Sequence, residues 1–414
     1  MTEKTTKNQF TVAVFGYGGR GKIYADNFQI LGIKITAVCD PVQSRRVLAK
    51  SSYGCEAYAE EDEFFKEKRA DVLIVATLDD MHYEPCVRAL RAGYDVILEK
   101  PISFKKEECE KIAKVADETG KSVSVCHVLR YAPFYTIAKT LVDSGKFGKI
   151  IHVNMTEDVG YYHFAHSYVR GPWRNKKISA PVILAKSCHD MDLFAWFIGK
   201  KCVRLNSFGN LSFFNGAHAP QGATAHCYDC PREKDCEYSC FKIYLNKEYE
   251  RLAALARHGR LGATDEEIIA SLKQKDNLYG RCVFACDNDV FDHQSVNMLF
   301  EDGITGTFTL SAFSQNMERT LKIYCEKGEI YGSSDKKKVK YTFFGDPEEK
   351  SVDVVYKNEI YASHGGGDMG LVSDFVENYG KKQMKTDIHL SLQSHYMGFA
   401  AEESATNGGK TIVL

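Results

Sequence analysis

The sequence predicts an α/β protein in which a Rossmann domain with a doubly wound parallel sheet precedes an α+β domain with a large, mostly antiparallel open sheet. From about residue 10 to residue 127, short apolar runs alternate with helix-like segments, which is typical of repeated βα units. From about residue 149, longer stretches alternate apolar and polar residues and end in turn signals, as antiparallel strands do. These patterns place the Rossmann domain at 1–128 and the α+β domain at 129–414.

Apolar and β-branched runs mark the strands of the first domain, and amphipathic segments lie between them. The predicted strands are 10–15, 35–39, 72–76, 96–98 and 123–126, and the predicted helices are 22–31, 41–50, 82–92 and 103–119. Ser103 is the expected N-cap of the last helix and Gly120 its expected end, because short polar side chains favour the first position and glycine the last.

The second domain carries its own turn and cap signals. Val296, Met298 and Phe300 alternate with polar residues and lead into Asp302-Gly303, which predicts a hairpin. An insertion is predicted at about 215–290, rich in cysteine at first and then helical.

Two further signals within the insertion predict helix ends. Thr264 and Glu267 have the spacing of a capping box, and Gly259 is an expected helix stop.

The composition excludes several classes of protein. Of the 414 residues, 44% are hydrophobic and 26% are charged, which is ordinary globular usage. The formal net charge of −1 gives no electrostatic reason to expect binding to nucleic acid or to an anionic membrane. No apolar run approaches the ~20 residues of a membrane-spanning helix, and no secretion signal precedes the first strand. We therefore expect a cytoplasmic protein.

A glycine motif, Gly16-Tyr17-Gly18-Gly19-Arg20-Gly21, directly follows the first predicted strand. In such a G-x-G-x-x-G loop, the first glycine permits a tight turn, the second lets backbone N–H groups approach a pyrophosphate, and the third lets the helix pack on the strand. The sequence therefore predicts a dinucleotide site at this point.

Asp40 ends the second predicted strand, where a carboxylate accepts hydrogen bonds from ribose hydroxyls and repels a 2′-phosphate. Arg45 and Arg46, one helical turn later, could hold that phosphate instead. The sequence therefore favours NAD over NADP without excluding NADP.

Glu99-Lys100-Pro101 follows the strand at 96–98, and Thr77 and His82 follow the strand at 72–76. Together with G-x-G-x-R-G and a second, antiparallel domain, these residues closely resemble the glucose–fructose oxidoreductase, inositol dehydrogenase and rhizopine catabolism (Gfo/Idh/MocA) family. The cofactor site expected on this basis comprises Gly16, Tyr17, Gly18, Gly19, Arg20, Gly21, Asp40, Arg45, Thr77, Asp79, His82, Glu99, Lys100 and His127.

A second motif of that family, D-x-x-x-H-x-x-D, is similar to the segment at 185–192. His189 and Asp192 match it, whereas Ala185 stands at the position of its first aspartate. Lys186 is an additional ionisable group beside that position.

The resemblance implies Lys100 and His189 as catalytic residues. An imidazole can accept a hydroxyl proton near neutral pH, and a nearby ammonium stabilises the developing alkoxide. Lys186 is a third catalytic candidate, with two roles open: a substrate contact, or an ion pair with Asp190 or Asp192.

Two segments are expected to line the substrate site. Residues 157–175 are rich in aromatic, His and Arg side chains, which suit the C–H faces and hydroxyls of a sugar ring. His364-Gly365-Gly366-Gly367-Asp368 is similar to an HGG motif that faces the active site in glycoside-acting members of the family; the alternative is a hinge with Asp368 as a helix cap. The predicted substrate contacts are Lys100, His166, Arg170, Trp173, Lys186, His189, His364 and Asp368.

Four of the 14 cysteines lie close together in the sequence, namely Cys227, Cys230, Cys236 and Cys240. A C-x-x-C pair followed by two further thiols suits a tetrahedral structural zinc ion. Free thiols are the alternative, and Cys282, Cys286 or His226 could replace one ligand. The remaining cysteines occur singly in apolar segments and are predicted core residues.

These features predict an NAD-dependent oxidoreductase that transfers hydride between nicotinamide and a secondary hydroxyl of a sugar, cyclitol or glycoside, with C3 of a pyranoside favoured. Two alternatives stay open. One is a redox-neutral NAD-dependent glycosidase that acts by oxidation, elimination, hydration and reduction; the other is a non-catalytic NAD(H)-sensing binding protein. The resemblance alone implies a homo-oligomer, either a dimer or a tetramer.

Overall fold

The computed structural model describes residues 10–249, 252, 262–355, 363–381 and 384–414. The chain forms two compact units. The first comprises Met1–Ile150, Cys188–Cys202 and Tyr324–Phe399, and the second comprises Ile151–Ser187, Val203–Ile323 and Ala400–Leu414. Both units are therefore built from segments that are distant in the sequence.

The first unit contains a six-stranded sheet whose strands all run parallel. Its strands are β1 (Thr11–Phe15), β2 (Lys34–Cys39), β3 (Glu56–Tyr58), β4 (Val72–Val75), β5 (Asp95–Leu98) and β6 (Val123–Val125), in the order β3-β2-β1-β4-β5-β6. The order reverses beside β1, as in doubly wound folds, so the predicted Rossmann topology is confirmed.

Thirteen α-helices lie in the described residues, many of them short. They are α1 (Gly19–Ile30), α2 (Gln43–Tyr53), α3 (Glu61–Phe64), α4 (Tyr83–Arg91), α5 (Lys106–Thr119), α6 (Pro133–Asp143), α7 (Tyr161–Phe164), α8 (Val182–Ala185), α9 (Cys188–Ile198), α10 (Cys240–Tyr244), α11 (Asp265–Leu272), α12 (Gly367–Asn378) and α13 (Ile388–Thr406).

The end of α5 was predicted correctly and its start was not. Gly120 closes the helix in the left-handed conformation, with φ +66. The N-cap is Lys105 and not Ser103. The Ser103 hydroxyl donates to Glu108 at 2.6 Å and accepts from the Lys105 backbone N–H at 3.1 Å, so it stabilises the turn before the helix.

Side chains on the two faces of the parallel sheet enter different apolar clusters, because successive residues of a strand point to opposite sides. Ala13 and Phe15 of β1 pack in one cluster with residues of α4, α5 and Ile388. Val12 and Val14 pack in the other, with residues of α1 and α12. Helices from both ends of the chain therefore cover the sheet of the first unit.

The other nine strands in the described residues form a mixed, mostly antiparallel sheet. They are β7 (Ile150–Asp158), β8 (Cys202–Asn210), β9 (His293–Phe300), β10 (Thr305–Ser311), β11 (Glu318–Cys325), β12 (Gly328–Ser333), β13 (Lys338–Phe343), β14 (Lys350–Asp353) and β15 (Ile412–Val413). In the second unit, the strand order is β11-β7-β10-β9-β8-β15. In the first unit, β12, β13 and β14 pair antiparallel in sequence order. The predicted open sheet is thus confirmed.

The predicted hairpin is confirmed as β9 and β10, which pair antiparallel with Thr305 opposite Leu299. Asp302 and Gly303 form its turn with positive φ angles of 59° and 76°.

The described part of the insertion contains only short helical segments. The capping box at Thr264 and Glu267 is present at the start of α11. Gly259, the expected helix end, lies outside the described residues. No helix in the described ranges combines the length and the hydropathy that crossing a bilayer requires.

Candidate active site

The glycine loop, residues 16–21, is shaped by close backbone packing. Gly16 has φ +89, and a Cβ there would lie 2.6 Å from the carbonyl oxygen of Ala76. A Cβ on Gly21 would lie 2.1 Å from the Gly16 carbonyl oxygen, so only glycine lets α1 approach this turn. An added Cβ on Gly19 would meet no atom within 4 Å. The loop therefore has free space beside Gly19, at the start of the helix whose backbone N–H groups would attract a phosphate.

Five predicted cofactor positions follow strands of the parallel sheet: Gly16 after β1, Asp40 after β2, Thr77 after β4, Lys100 after β5 and His127 after β6. Parallel strands end at one edge of a sheet, which is where open α/β folds bind ligands. His127 is fully buried, and within the described residues its Nδ1 has no hydrogen-bond partner. Since buried polar atoms are normally paired, this edge fits a bound dinucleotide that supplies hydrogen-bonding groups.

Asp40 is hydrogen-bonded to the start of the glycine loop and lies beside an arginine. Its carboxylate is 2% exposed and accepts from the backbone N–H groups of Tyr17 and Val42, both at 2.8 Å. Arg45 Nη1 lies 3.3 Å from the same carboxylate and 3.8 Å from the position of a Cβ on Gly18. Opposite charges therefore adjoin each other where a ribose 2′ group is expected.

Arg20 joins three motifs that are far apart in the sequence. Its Nε lies 2.6 Å from Glu99 Oε1, and its two terminal nitrogens lie 2.6 and 3.1 Å from the carboxylate oxygens of Asp368. Tyr24 donates to Glu99 Oε1 at 2.8 Å. Glu99 and Asp368 are 5% and 1% exposed, and the three predicted ligand contacts Arg20, Glu99 and Asp368 are bonded to one another. Nη1 of Arg20 also lies 3.3 Å from Nδ1 of His364. We call Arg20, Tyr24, Glu99, His364 and Asp368 the Arg20 network.

The charges in the Arg20 network lower the pKa of both carboxylates. Burial alone would raise the pKa of Glu99, but the positive charges of Arg20 and Lys100 outweigh it. For Asp368, burial is likewise outweighed by the hydrogen bonds from His364 and Arg20, which hold its pKa well below the usual range. Both carboxylates are therefore ionised at neutral pH and contribute stability there.

This stability is expected to depend on pH in a defined direction. Because the folded pKa of Glu99 lies below its unfolded value of about 4.3, its contribution is complete above that value and is lost as the pH falls through the folded pKa. The gap in urea midpoint between the wild type and Glu99→Gln should therefore narrow as the pH is lowered from 7 towards about 3. A gap independent of pH would contradict the ion pair.

Two buried histidines hold the backbone next to Lys100. His82 Nδ1 lies 2.7 Å from the carbonyl oxygen of Pro101, and the Ile102 N–H donates to His395 Nε2 at 2.8 Å. His82 and His395 are 1% and 0% exposed. His82, predicted as a cofactor contact, thus supports the segment that carries Lys100. His395 was not predicted as a site residue, because it lies in α13 and no recognisable motif surrounds it.

Lys100, His127 and His189 form the centre of the candidate site in the first unit. The ring of His127 lies 6.0 Å from that of His189, which is 4% exposed. Burial, followed by the charges of Arg130 and Lys100, holds the pKa of His127 well below its usual range. Burial raises the pKa of Cys188, the residue before His189, to about 12 against the opposing charge of Lys100. The Lys100 ammonium thus acts electrostatically on groups next to His189.

Asp192, the last residue of the D-x-x-x-H-x-x-D match, is held by Arg130. Nε and Nη2 of Arg130 donate to the two carboxylate oxygens of Asp192, both at 2.6 Å. The two residues are 5% and 1% exposed. This buried bidentate ion pair anchors α9, which carries His189.

His364 lies beside His189, with the two ring centroids 5.9 Å apart. Its Nδ1 is 3.1 Å from Asp368 Oδ2, and its side chain is 35% exposed. The residue has a positive φ of 49°, which is uncommon for a residue other than glycine. The predicted HGGGD segment therefore places His364 near His189, while Asp368 turns towards Arg20.

Lys186 pairs with a residue that the sequence did not indicate. Its Nζ lies 3.2 Å from Glu157 Oε1, and Glu157 is 1% exposed and also bonded to Arg319. The carboxylate of Asp192, one of the expected partners, is occupied by Arg130. Glu157 lies at the end of β7, and only the folded chain brings it to Lys186.

Two predicted substrate contacts, His166 and Arg170, are buried and make contacts within the protein. They lie in a π-helical segment, Ala165–Arg170, and are 1% and 0% exposed. His166 stacks on Tyr279 at 4.6 Å. Arg170 donates to the carbonyl oxygens of Arg281 and Tyr238, both at 2.7 Å. Trp173, by contrast, is half-buried, and its substrate role stays a prediction.

The zinc site predicted at Cys227, Cys230, Cys236 and Cys240 is not supported. In the described ranges, no three His, Cys, Asp or Glu side chains lie close enough together to hold a metal ion. The Arg170 guanidinium lies 3.7 Å from Cys227 Sγ and places a positive charge beside the thiols. The hydrogen bond from Cys240, opposed by burial and aided by the charge of Arg170, lowers the pKa of Cys227.

The remaining eight cysteines are buried, as the sequence predicted; they are Cys39, Cys55, Cys86, Cys109, Cys126, Cys188, Cys202 and Cys325.

Comparison with known proteins agrees with this geometry. Residues 10–127 match the sequence model of an oxidoreductase family with an NAD-binding Rossmann fold, GFO_IDH_MocA, and residues 139–413 match the C-terminal α/β domain of the same family. Among curated proteins, YteT of Bacillus subtilis is 24% identical over 82% of this chain and 81% of its own length. The scyllo-inositol 2-dehydrogenase (NAD⁺) of the same species is 26% identical over 50% of this chain and 58% of its own.

Solved structures share the fold over nearly the whole chain. The WlbA dehydrogenase from Bordetella pertussis, in complex with NADH and UDP-GlcNAcA, has a TM-score of 0.69 at 16% identity and covers 99% of both chains. An NAD-binding oxidoreductase from Klebsiella pneumoniae has a TM-score of 0.72 at 15% identity, covering 98% of this chain and 99% of its own. With both of its domains matched, the chain belongs to the Gfo/Idh/MocA family of NAD-binding oxidoreductases.

Proposed function

We propose that this enzyme transfers hydride between NAD and a secondary hydroxyl of a sugar, cyclitol or glycoside. The observation that carries the proposal is the grouping of Lys100 and His189 around His127, in the same unit as the glycine loop. The family places an NAD-binding domain here, and the inositol dehydrogenase and UDP-sugar-bound relatives suggest the class of substrate.

We assign separate roles in the reaction to His189 and Lys100. When bound, the nicotinamide ring supplies the hydride acceptor or donor. His189 takes up the hydroxyl proton when the alcohol is oxidised, because a neutral imidazole is the base available near pH 7. The Lys100 ammonium stabilises negative charge on the substrate oxygen. His127 and His395 are fully buried, and we infer that their side chains help to exclude water from the substrate oxygen.

We propose NAD as the preferred cofactor, since the buried Asp40 carboxylate at the end of β2 would repel a 2′-phosphate. Arg45 is the opposing feature, because its guanidinium lies beside Asp40. Titrating the protein with NADH and NADPH by fluorescence tests this preference. We expect tighter binding of NADH, and equal or tighter binding of NADPH would assign the 2′ position to Arg45.

The function is tested with a panel of inositols, polyols and glycosides, with NADH formation followed by absorbance. C3 of a pyranoside is the first position to examine. Of the predicted sugar contacts in the second unit, Trp173 is the strongest remaining candidate, because His166 and Arg170 are buried and Lys186 pairs with Glu157. Release of an aglycone without accumulation of NADH would favour the redox-neutral glycosidase. Cofactor binding without turnover of any substrate would favour the NAD(H)-sensing protein.

A further inference from the structure

We propose that the His364–Asp368 pair carries protons between His189 and solvent. This inference rests on the proposed function, in which His189 takes up the substrate hydroxyl proton. His364 would act through His189 and would not need to touch the reacting atoms.

His189 needs such a partner because it is buried, and neither His127 beside it nor His395 beyond is protonated to imidazolium at neutral pH. It is 4% exposed, and its neighbour His127 is 0% exposed, as is His395 beyond it. Burial lowers the pKa of His395 to about 3 and that of His127 well below its usual range. A proton taken up by His189 would therefore not leave through these two rings.

His364 offers a route from the same ring to water. Its ring centroid is 5.9 Å from that of His189, and its side chain is 35% exposed. Burial lowers the pKa of His364 as well, but the hydrogen bond and the charge of Asp368 oppose that effect. The separation of the two rings suits transfer from one ring to the other through one water molecule. The path from His189 to the surface therefore needs only one further side chain.

Asp368 prepares His364 for this role. Its Oδ2 lies 3.1 Å from His364 Nδ1, and Nη1 of Arg20 lies 3.3 Å from the same nitrogen. We assign the Nδ1 proton of the neutral ring to the contact with the carboxylate, which leaves Nε2 as the proton acceptor. Asp368 is itself 1% exposed and is fixed by two hydrogen bonds from Arg20. The Arg20 network thereby holds the relay in one orientation.

The step moves one proton and no electrons. During alcohol oxidation, the N–H bond on protonated His189 breaks and an N–H bond forms on Nε2 of His364, which then releases the proton to water. In the reductive direction, His364 takes a proton from water and passes it to His189.

Buffer rescue in the NAD-loaded enzyme provides the first test. Turnover of His364→Ala should fall by as much as about 100-fold in dilute buffer and recover when imidazole is added, with KM unchanged. The matched control is His389→Ala, since His389 is also exposed and lies 3.0 Å from an acidic residue, Asp117. The control should match the wild type at every imidazole concentration. A loss in His364→Ala that imidazole does not restore would overturn the relay.

A second measurement does not depend on turnover. In the NAD-bound protein labelled with ¹⁵N-histidine, exchange of the His189 ring N–H with water should be slower in His364→Ala and in His364→Gln, but unchanged in His389→Ala. Circular dichroism confirms that each variant folds. Unchanged exchange would overturn the relay, whereas slowed exchange in a protein that oxidises no substrate would support the relay and count against the proposed function.

Discussion

Replacing Lys100 by methionine is expected to reduce kcat by about 10²- to 10⁴-fold, the range typical of a positioned proton-transfer or charge-stabilising group. Methionine keeps much of the length and apolar character of the side chain but removes the ammonium. The glycine loop and Asp40 are untouched by the change, so the affinity for NADH should remain close to that of the wild type. Steady-state kinetics and NADH fluorescence titration measure the two effects separately.

Lys114→Met is the matched control for this substitution. Lys114 lies on α5 with its side chain 76% exposed, and it pairs only loosely with Glu118 at 3.8 Å. Its replacement should leave kcat unchanged. A normal kcat in Lys100→Met would contradict the role of Lys100 in the proposed mechanism. If NADH affinity fell together with kcat, the lysine would be assigned to cofactor binding instead.

Replacing Arg130 by methionine is expected to destabilise the first unit by about 3–5 kcal/mol, because it leaves the buried Asp192 carboxylate without its partner. Asp192 is 1% exposed, and both of its oxygens accept from Arg130. The loss should appear as a lower urea midpoint for the transition of this unit. Activity should fall as well, since the pair anchors the helix that carries His189.

A double-variant cycle separates the ion pair from side-chain packing. Asp192→Asn alone should also destabilise the protein, but the combination Arg130→Met with Asp192→Asn should cost less than the sum of the two. Arg88→Met is the surface control: Arg88 pairs with Asp62 and Glu61 but is 39% exposed, so its removal should shift the midpoint little. Additive effects of the two buried substitutions would contradict the ion pair.

The parts of the fold that could be predicted from sequence are those set by local patterns. The strand and helix order of the first unit follows from hydrophobic periodicity, and the positions of Asp40, Lys100 and His127 follow from the rule that parallel strands end at one edge. β3 was not predicted, because Glu-Ala-Tyr is too short and too polar to give the pattern of a strand.

The sequence could not predict which side chains of the site pair with one another, because these residues meet only in the folded chain. Arg20 and Asp368 are 348 positions apart, and nothing near either residue indicates the other. His166 and Arg170 have the chemistry of sugar contacts, but a π-helical turn buries them. Residue type therefore predicted the chemistry available, while burial decided which side chains remain open to a ligand.

The first unit contains a segment from late in the sequence, which affects how this unit folds during synthesis. Tyr324–Phe399 belongs to that unit, and it supplies the acidic partner of Arg20 and several apolar side chains that cover the parallel sheet. A ribosome-bound chain that has emerged only as far as residue 128 therefore exposes apolar surface on its nascent sheet. The sheet of the first unit can therefore gain its complete cover only after the segment Tyr324–Phe399 has been translated.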